Sequence, residues 1–116
     1  LLFVPMDATL IVQVLINLME NAVRYAQTPI DIGLRRDGAW AEFSVRDFGP
    51  GIADDKKENL FDSVQAQPDS RRGGLGIGLT LCRSIITAHG GEIWEVNHPD
   101  GGAQFLFTLP LEEEEK

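Results

Sequence analysis

One short segment, Asn17-Leu-Met-Glu20-Asn21, combines two side-chain amides and a carboxylate at helical spacing. Asn is a poor helix former, because its amide competes for nearby backbone groups. At a spacing of four residues the two amides share one face of a helix, with Glu20 and Arg24 about one turn apart along it. An amide oxygen suits Mg²⁺, a carboxylate can order a metal-bound water or act as a base, and an arginine can contact phosphate. The segment therefore predicts either solvated surface or the wall of a site.

Two glycine-rich segments add to this pattern, Asp47-Phe-Gly49-Pro-Gly51 and Gly74-Leu-Gly76-Ile-Gly78-Leu79. In the first, glycines let a flat ligand approach the backbone, and Asp47 can accept a hydrogen bond from an exocyclic amine such as that of adenine. The second opens a predicted helix, whose free N–H groups and dipole attract an anion. A Rossmann motif is disfavoured because this segment follows a polar loop, and a Walker A loop is excluded because no Gly-Lys-Ser/Thr is present. Each segment alone is a weak signal, but their joint occurrence in this order predicts a nucleotide site.

The apolar spacing of the chain predicts the elements that carry these segments. The first helix starts at the N-cap Asp7 and runs to about Gln27, and its predicted core positions are Ile11, Leu15, Leu18, Met19, Ala22, Val23 and Ala26. The other predicted elements are a strand over 1–4, a hairpin over 30–36 and 40–47, a short helix over 55–61, a loop over 63–73, a helix over 76–89 and a hairpin over 92–97 and 103–109. This order predicts an α/β two-layer sandwich, in which helices cover one face of a mixed, largely antiparallel sheet.

Composition and charge narrow the class of function. The 116 residues suit one domain and carry a net charge of −8, half of it from the predicted frayed tail Glu112–Glu115. An acidic domain without a basic stripe argues against nucleic-acid binding. The single Cys82 excludes an internal disulfide and a cysteine zinc site, and its apolar neighbours predict that it is buried. No apolar run nears the ~20 residues of a membrane span, so we expect a soluble domain without direct membrane contact. The apolar start without Met indicates part of a larger protein.

The three segments resemble the sequence boxes of one known family: Asn17…Asn21 resembles its N box, Asp47-x-Gly49-x-Gly51 its G1 box and Gly74-x-Gly76-x-Gly78 its G2 box. Together they are similar to the ATP-binding catalytic domain of sensor histidine kinases, which has the GHKL (Bergerat) fold shared with gyrase, Hsp90 and MutL. The resemblance covers residues 1–111 and leaves 112–116 as an acidic tail. Three stretches look most like the KdpD-type potassium and osmotic sensor kinases: Leu15–Ala26, His89–Gly91 and Asn97–Ala103.

The resemblance also implies a role for each residue of the boxes. Asn21 would ligate Mg²⁺ and Asn17 would lie near the phosphates. Glu20 and Arg24, the latter where the family usually has Lys, join Asn17 as catalytic candidates. Asp47 would bind the adenine amino group. The rest of the pocket would be formed by Tyr25, Gly49, Gly51, Ile52, Phe61, Gly74, Leu75, Gly76, Ile77, Gly78 and Leu79.

The implied activity is that of a protein-histidine kinase. The domain would bind Mg-ATP and donate the γ-phosphoryl group to a histidine on a separate dimerisation and phosphoacceptor domain, upstream of a response regulator. His89 and His98 lack the acidic neighbour expected of that histidine, so the acceptor is expected before Leu1, and His89 is expected to cap a helix end. Asn17 stands where ATP-hydrolysing relatives have Glu, which favours transfer over hydrolysis.

Two alternatives stay open from the sequence. The first is a nucleotide-binding module without transfer activity, and the second is a serine kinase of the anti-sigma-factor type, which uses the same boxes. For the histidine kinase, the resemblance implies a cytoplasmic location as the C-terminal part of a membrane-bound sensor. A helical hairpin before Leu1 in the full-length protein would argue against the serine kinase, and ATP binding without phosphotransfer to an added acceptor domain would favour the binding module.

Overall fold

The computed structural model describes residues 4–26, 28–53, 60–61 and 75–111. Two helices lie in these residues, α1 (Ala8–Ala26) and α2 (Leu75–Ala88). Four strands accompany them: β1 (Asp31–Asp37), β2 (Trp40–Arg46), β3 (Ile93–Asn97) and β4 (Ala103–Pro110). The strands form one antiparallel sheet in the order β1-β2-β4-β3. Both helices pack on the same face of the sheet, which confirms the predicted two-layer sandwich.

Several predicted segments lie outside the described residues. These are residues 1–3 of the strand predicted over 1–4, residues 55–59 of the short helix predicted over 55–61, the polar loop over 63–73 and the tail over 112–116. Val4 belongs to no strand and packs against the core, and Leu60 and Phe61 form a turn. The domain boundary at residue 111 stays a prediction.

The start of α1 follows the predicted capping chemistry. Asp7 Oδ1 accepts a hydrogen bond from the backbone N–H of Leu10 at 3.2 Å, and the Asp7 carbonyl accepts from Ile11 at 3.0 Å. Asp7 is therefore the N-cap, and it satisfies one of the free donors of the first turn. Among the described residues, neither helix is long and apolar enough to cross a bilayer.

The end of α2 is closed by glycines and by an imidazole. The Gly91 N–H reaches the Ile86 carbonyl at 3.0 Å and the Gly90 N–H reaches Thr87 at 2.9 Å, the pair of bonds that defines a Schellman cap. His89 Nδ1 lies 2.8 Å from the Ile85 carbonyl, while its Nε2 accepts from the Asp7 N–H at 3.0 Å. The predicted capping role of His89 is confirmed, and the same ring joins the end of α2 to the start of α1.

The core lies between the helices and the inner face of the sheet. Val45 pairs with Phe105 and Phe43 with Phe107, whose rings stack with centroids 4.7 Å apart. Partners in an antiparallel register share a face, so these strands present one apolar surface to the helices. The helices contribute the buried residues Ile11, Val14, Leu18, Ala22, Leu79, Cys82, Ile85 and Ile86.

The predicted core face of α1 needs a correction at its edge, and the side chain of Ala26, also predicted in the core, lies outside the described part of the structure. Val23 is 54% exposed, whereas Val14, which the prediction left out, is fully buried. Successive helical residues point about 100° apart, so the buried stripe that contains Ala22 turns Val23 away from the sheet. The predicted burial of Cys82 is confirmed.

Candidate functional site

Asn21 is buried on α1, with 4% of its surface exposed. Within the described part of the chain, its Oδ1 atom has no hydrogen-bond partner. Leaving such an acceptor unpaired costs about 1–3 kcal/mol, so the atom needs a partner from elsewhere. A neutral amide oxygen is a ligand that Mg²⁺ takes beside waters and phosphate oxygens. The chemistry of Asn21 therefore fits the predicted cation.

The described residues offer no protein-only cage for a metal. They contain no group of three or more His, Cys, Asp or Glu side chains positioned to hold an ion. Mg²⁺ at phosphate sites usually takes few protein ligands beside waters and phosphate oxygens, so a single amide oxygen from Asn21 is compatible with such a site.

Asn17 lies one turn before Asn21 and faces the start of α2. Its Nδ2 donates to the sulfur of Cys82 at 3.7 Å, and its Oδ1 accepts from Gln13 Nε2 at 3.2 Å. A Cβ built on Gly78 would lie 3.8 Å from the Asn17 amide carbon. The structure thus brings the first asparagine of the α1 motif next to the last glycine of the second glycine segment.

The polar stripe predicted on α1 is not uniform. Asn21 is buried and Asn17 is half-buried, but Glu20 is exposed. Arg24 and Tyr25 lie in the last turn of α1, and their side chains are outside the described part of the structure. The structure therefore separates the two amides, one buried and one half-buried, from the solvent-facing carboxylate of Glu20.

Asp47 follows β2 and is held by backbone donors. Only 6% of it is exposed, and its Oδ1 accepts from the N–H of Gly49 at 3.0 Å and of Ala103 at 3.1 Å. The Asp47 N–H in turn donates to the Ala103 carbonyl at 2.9 Å. Both hydrogen bonds that its carboxylate makes with described residues use Oδ1. The Oδ2 oxygen of such a fixed carboxylate can accept a hydrogen bond from a ligand donor, and its contact with an adenine amine stays a prediction.

The turn between β3 and β4 packs against this loop. Gly102, with φ of +95°, passes so close to Asp47 that a Cβ there would lie 2.2 Å from the Asp47 carbonyl oxygen. Arg46 Nη2 reaches the Gly101 carbonyl at 3.3 Å, and the Asn97 amide contacts the backbone of Ile52. Spacing along the chain predicted this turn but could not show that it supports the Asp47 loop, because β2 and β4 pair across more than fifty residues.

The second glycine segment opens α2 as predicted. The first turn is formed by Leu75, Gly76 and Ile77, whose side chains lie outside the described part of the structure. Gly74 lies outside the described residues. The first N–H groups of a helix have no intrahelical partner and can bind an anion. Leu79 is buried in the core beneath this turn.

Phe61 lies on the core. Its ring packs edge-on to Phe105 with centroids 6.1 Å apart, and its carbonyl accepts from the Thr80 hydroxyl at 3.1 Å. These contacts attach residues 60–61 to α2 and β4. A contact of Phe61 with the nucleotide stays a prediction.

Sequence comparison gives one family for nearly the whole chain. Residues 6–113 match the family described as histidine kinase-, DNA gyrase B-, and HSP90-like ATPase. The adaptive-response sensory kinase SasA of Nostoc sp. is 45% identical over 109 residues, which cover 90% of this chain and 27% of that kinase. SasA of Synechococcus sp. is 44% identical over 104 residues, covering 85% of this chain and 27% of that kinase. The chain spans about a quarter of the length of these relatives, which do not single out the KdpD type.

Solved structures agree with this family. The nucleotide-free catalytic domain of histidine kinase ThkA has 36% identity and a TM-score of 0.81, over 92% of this chain and 70% of that one. Full-length ShkA, solved in complex with AMPPNP, has 29% identity and a TM-score of 0.81, over 98% of this chain and 24% of that one. The chain therefore belongs to the histidine kinase-, DNA gyrase B- and HSP90-like ATPases, with the fold of the catalytic domains of histidine kinases.

Proposed function

We propose that the chain binds Mg-ATP and donates its γ-phosphoryl group to a histidine on a separate phosphoacceptor domain of a two-component sensor kinase. The observation that carries this proposal is the buried Oδ1 of Asn21, which lacks a partner among the described residues. It lies on the helix that also presents Asn17 to the glycine turn of α2. Family membership and the AMPPNP complex of ShkA support Mg-nucleotide as the ligand of this site.

The site residues divide the work of holding ATP. Asp47 would bind the adenine amine through Oδ2, and the first turn of α2 would face the phosphates. Asn21 would hold Mg²⁺, which neutralises phosphate charge when bound. Asn17 would sit beside the phosphates, with Glu20 and Arg24 as the remaining catalytic candidates. Phosphoryl transfer needs mostly positioning and charge neutralisation, and these residues supply both.

The acceptor histidine would lie on another domain. Both ring nitrogens of His89 are engaged at the helix ends, and His98 Nε2 lies 2.8 Å from Gln104 Oε1. The greater length of the SasA relatives leaves room for such a domain. A response regulator would receive the phosphoryl group next. We further propose that the domain is the cytoplasmic part of a membrane-bound sensor. The proposal that this sensor is of the KdpD type is supported only by the similarity of Leu15–Ala26, His89–Gly91 and Asn97–Ala103.

Nucleotide titration followed by phosphotransfer tests the function. ATP binding should strengthen with Mg²⁺, and labelled γ-phosphate should move to an acceptor domain from the full-length gene product. An acceptor with its histidine replaced by Gln is the control and should stay unlabelled. Binding without transfer would identify a nucleotide-binding module, and transfer to a serine would identify the anti-sigma-factor type of kinase. Absence of ATP binding would contradict the proposal.

A further inference from the structure

We infer that Asn97 is a positioning residue of the nucleotide site, whose side-chain amide holds the loop of residues 49–52 beside Asp47. The inference rests on the proposed function, because the position of this loop matters to activity only when a nucleotide binds against it. Asn97 is the last residue of β3, far along the chain from the residues predicted to bind the nucleotide.

The Asn97 amide pairs with a single residue of the loop through both of its polar atoms. Oδ1 accepts from the Ile52 N–H at 3.0 Å, and Nδ2 donates to the Ile52 carbonyl at 2.8 Å. The side chain thus pairs with Ile52 as a neighbouring strand would. Among side chains at neutral pH, only an amide offers a neutral acceptor and a neutral donor on two atoms bonded to the same carbon. Ile52 also packs against the core, so the contact ties the loop to β3 and to the interior.

Gly51 shows how closely the loop backbone passes the same amide. Its φ is +85°, and a Cβ built on it would lie 3.0 Å from Asn97 Oδ1. A larger residue at position 51 would push the amide away from Ile52. Gly51, which is predicted to form part of the nucleotide pocket, therefore also leaves space for the Asn97 amide.

The segment of residues 47–52, which contains Asp47 and the loop, is held at both ends by the β3–β4 hairpin. At its start, Asp47 exchanges hydrogen bonds with Ala103 at the beginning of β4. At its finish, Ile52 is held by Asn97 at the end of β3. The β3–β4 hairpin therefore fixes the position of the loop relative to the Asp47 carboxylate before any ligand binds.

Loss of the Asn97 amide would free the end of the loop without removing a contact to the nucleotide. Binding would then have to order the loop, and that entropy is subtracted from the affinity. We expect Asn97→Ala to raise the dissociation constant for ATP about tenfold and to lower the preference for ATP over GTP, since Asp47 borders the released loop. The turnover number for phosphotransfer should stay within about twofold, because the phosphate end of the site is untouched.

The experiment compares the full chain with Asn97→Ala, Asn97→Ser and Val96→Thr. Val96 is the neighbouring, partly exposed residue of β3, so its near-isosteric change controls for disturbance of the strand. ATP and GTP affinities are measured by calorimetry, and exchange of the Ile52 amide hydrogen is followed by NMR without nucleotide. The Asn97→Ser side chain ends one bond short of the two amide atoms, so this variant should also lose both hydrogen bonds to Ile52 and weaken ATP binding about as much as Asn97→Ala. It also carries the test if Asn97→Ala does not fold.

The outcomes separate this inference from the function on which it rests. Faster Ile52 exchange together with weaker, less selective ATP binding in the Asn97 variants alone supports the inference. ATP affinity equal to that of Val96→Thr overturns it, even when thermal stability falls. If the unmutated chain binds no ATP, the proposed function fails and the inference fails with it, a result visible before any variant is made.

Discussion

Asn21 and Asp47 are the buried polar side chains of the described residues, and the structure treats their oxygens differently. Oδ1 of Asp47 accepts two backbone hydrogen bonds, so this carboxylate is fixed before a ligand arrives. Oδ1 of Asn21 is buried with no partner among the described residues. At the residue scale, the Asp47 carboxylate is fixed by backbone donors, whereas the Asn21 oxygen is an acceptor with no described partner. The two side chains therefore lead to different predictions.

Asn21→Ala should remove the Mg²⁺ dependence of ATP binding. The ratio of the ATP dissociation constants without and with Mg²⁺ should fall towards one, because the metal loses its protein oxygen. Calorimetric titration in Mg²⁺ and in EDTA measures this ratio. The control is Val12→Ala, at a 51% exposed position on the same helix, which should leave the ratio unchanged. An unaltered ratio in Asn21→Ala would remove this residue from the metal site.

Asp47→Asn should lower the affinity for ATP by about 10- to 100-fold while the domain stays folded. Asn can keep the two backbone bonds at Oδ1, but it places an NH₂ group where Oδ2 would meet the adenine amine, and an unpaired buried polar group costs about 1–3 kcal/mol. The measurement is the dissociation constant for ATP and for GTP, with the thermal midpoint recorded as the check on folding. Equal affinity of the unmutated domain for the two nucleotides would refute the adenine contact.

At the scale of elements, the site is assembled from contacts between pieces remote in sequence. Asn17 of α1 adjoins Gly78 of α2, and the β3–β4 hairpin supports the loop that follows β2. His89 further joins the end of α2 to the N-cap of α1. The hairpin is the element that carries no predicted nucleotide contact and yet organises one wall of the site.

Gly102→Ala should destabilise the domain by about 3 kcal/mol or more and weaken ATP binding. Its Cβ would meet the Asp47 carbonyl oxygen at 2.2 Å, so β4 and the Asp47 loop must separate. Gly38→Ala is a matched control, because Gly38 has φ of +64° but nothing within 4 Å of its Cβ position. That change should cost only the backbone strain, about 1–2 kcal/mol. Urea unfolding measures both, and equal losses would show that the close approach to Asp47 is unimportant.

At the scale of the whole molecule, the helices and the sheet enclose one core, which contacts the candidate site at Asn17. Cys82 lies fully buried in this core, with its sulfur 3.7 Å from Asn17 Nδ2. Burial raises the pKa of the thiol to about 11, partly offset by the hydrogen bond from Asn17. The single thiol therefore reports on global opening of the fold.

Cys82 should resist a thiol reagent at pH 8 until the domain unfolds. Opening of a stable domain is rare, so the reaction should be slowed on the order of 10³-fold relative to the chain in denaturant, where the thiol reacts freely. Saturating Mg-ATP at about 100 times its dissociation constant should slow it about 100-fold more. Rate measurement with a chromogenic disulfide checks both. Rapid reaction in native buffer would show that the α1–α2 contact opens locally.

The Cys82 thiol should make the free energy of unfolding decrease as the pH rises above 9. The thiol pKa is raised from 9.0 to about 11 on folding, so the unfolded chain ionises first. This contribution to stability is complete below pH 9 and is lost as the pH rises to about 11. Urea midpoints across this range should fall more steeply for the unmutated chain than for Cys82→Ala.

Features that depend on neighbouring residues along the chain could be predicted from the amino-acid sequence. Helical spacing, the Asp7 cap, the turn at Asp37-Gly38 and the glycines at the start of α2 are local signals, and the structure confirms them. The resemblance of three short boxes was enough to identify the family, because each box keeps its own spacing. The apolar period also predicted the core face of α1 but misplaced its edge at Val23.

Contacts between groups that are distant in sequence became visible only in the folded structure. The two bonds from Asn97 to Ile52, the support of Asp47 by Ala103 and the unpaired oxygen of Asn21 all depend on the strand order β1-β2-β4-β3 and on how α1 and α2 pack. No local spacing encodes such contacts, because they form only once the chain has closed loops of forty or more residues. The chemistry of each site residue could therefore be predicted from the sequence, whereas the orientation of its side chain and its hydrogen-bond partners depend on the fold.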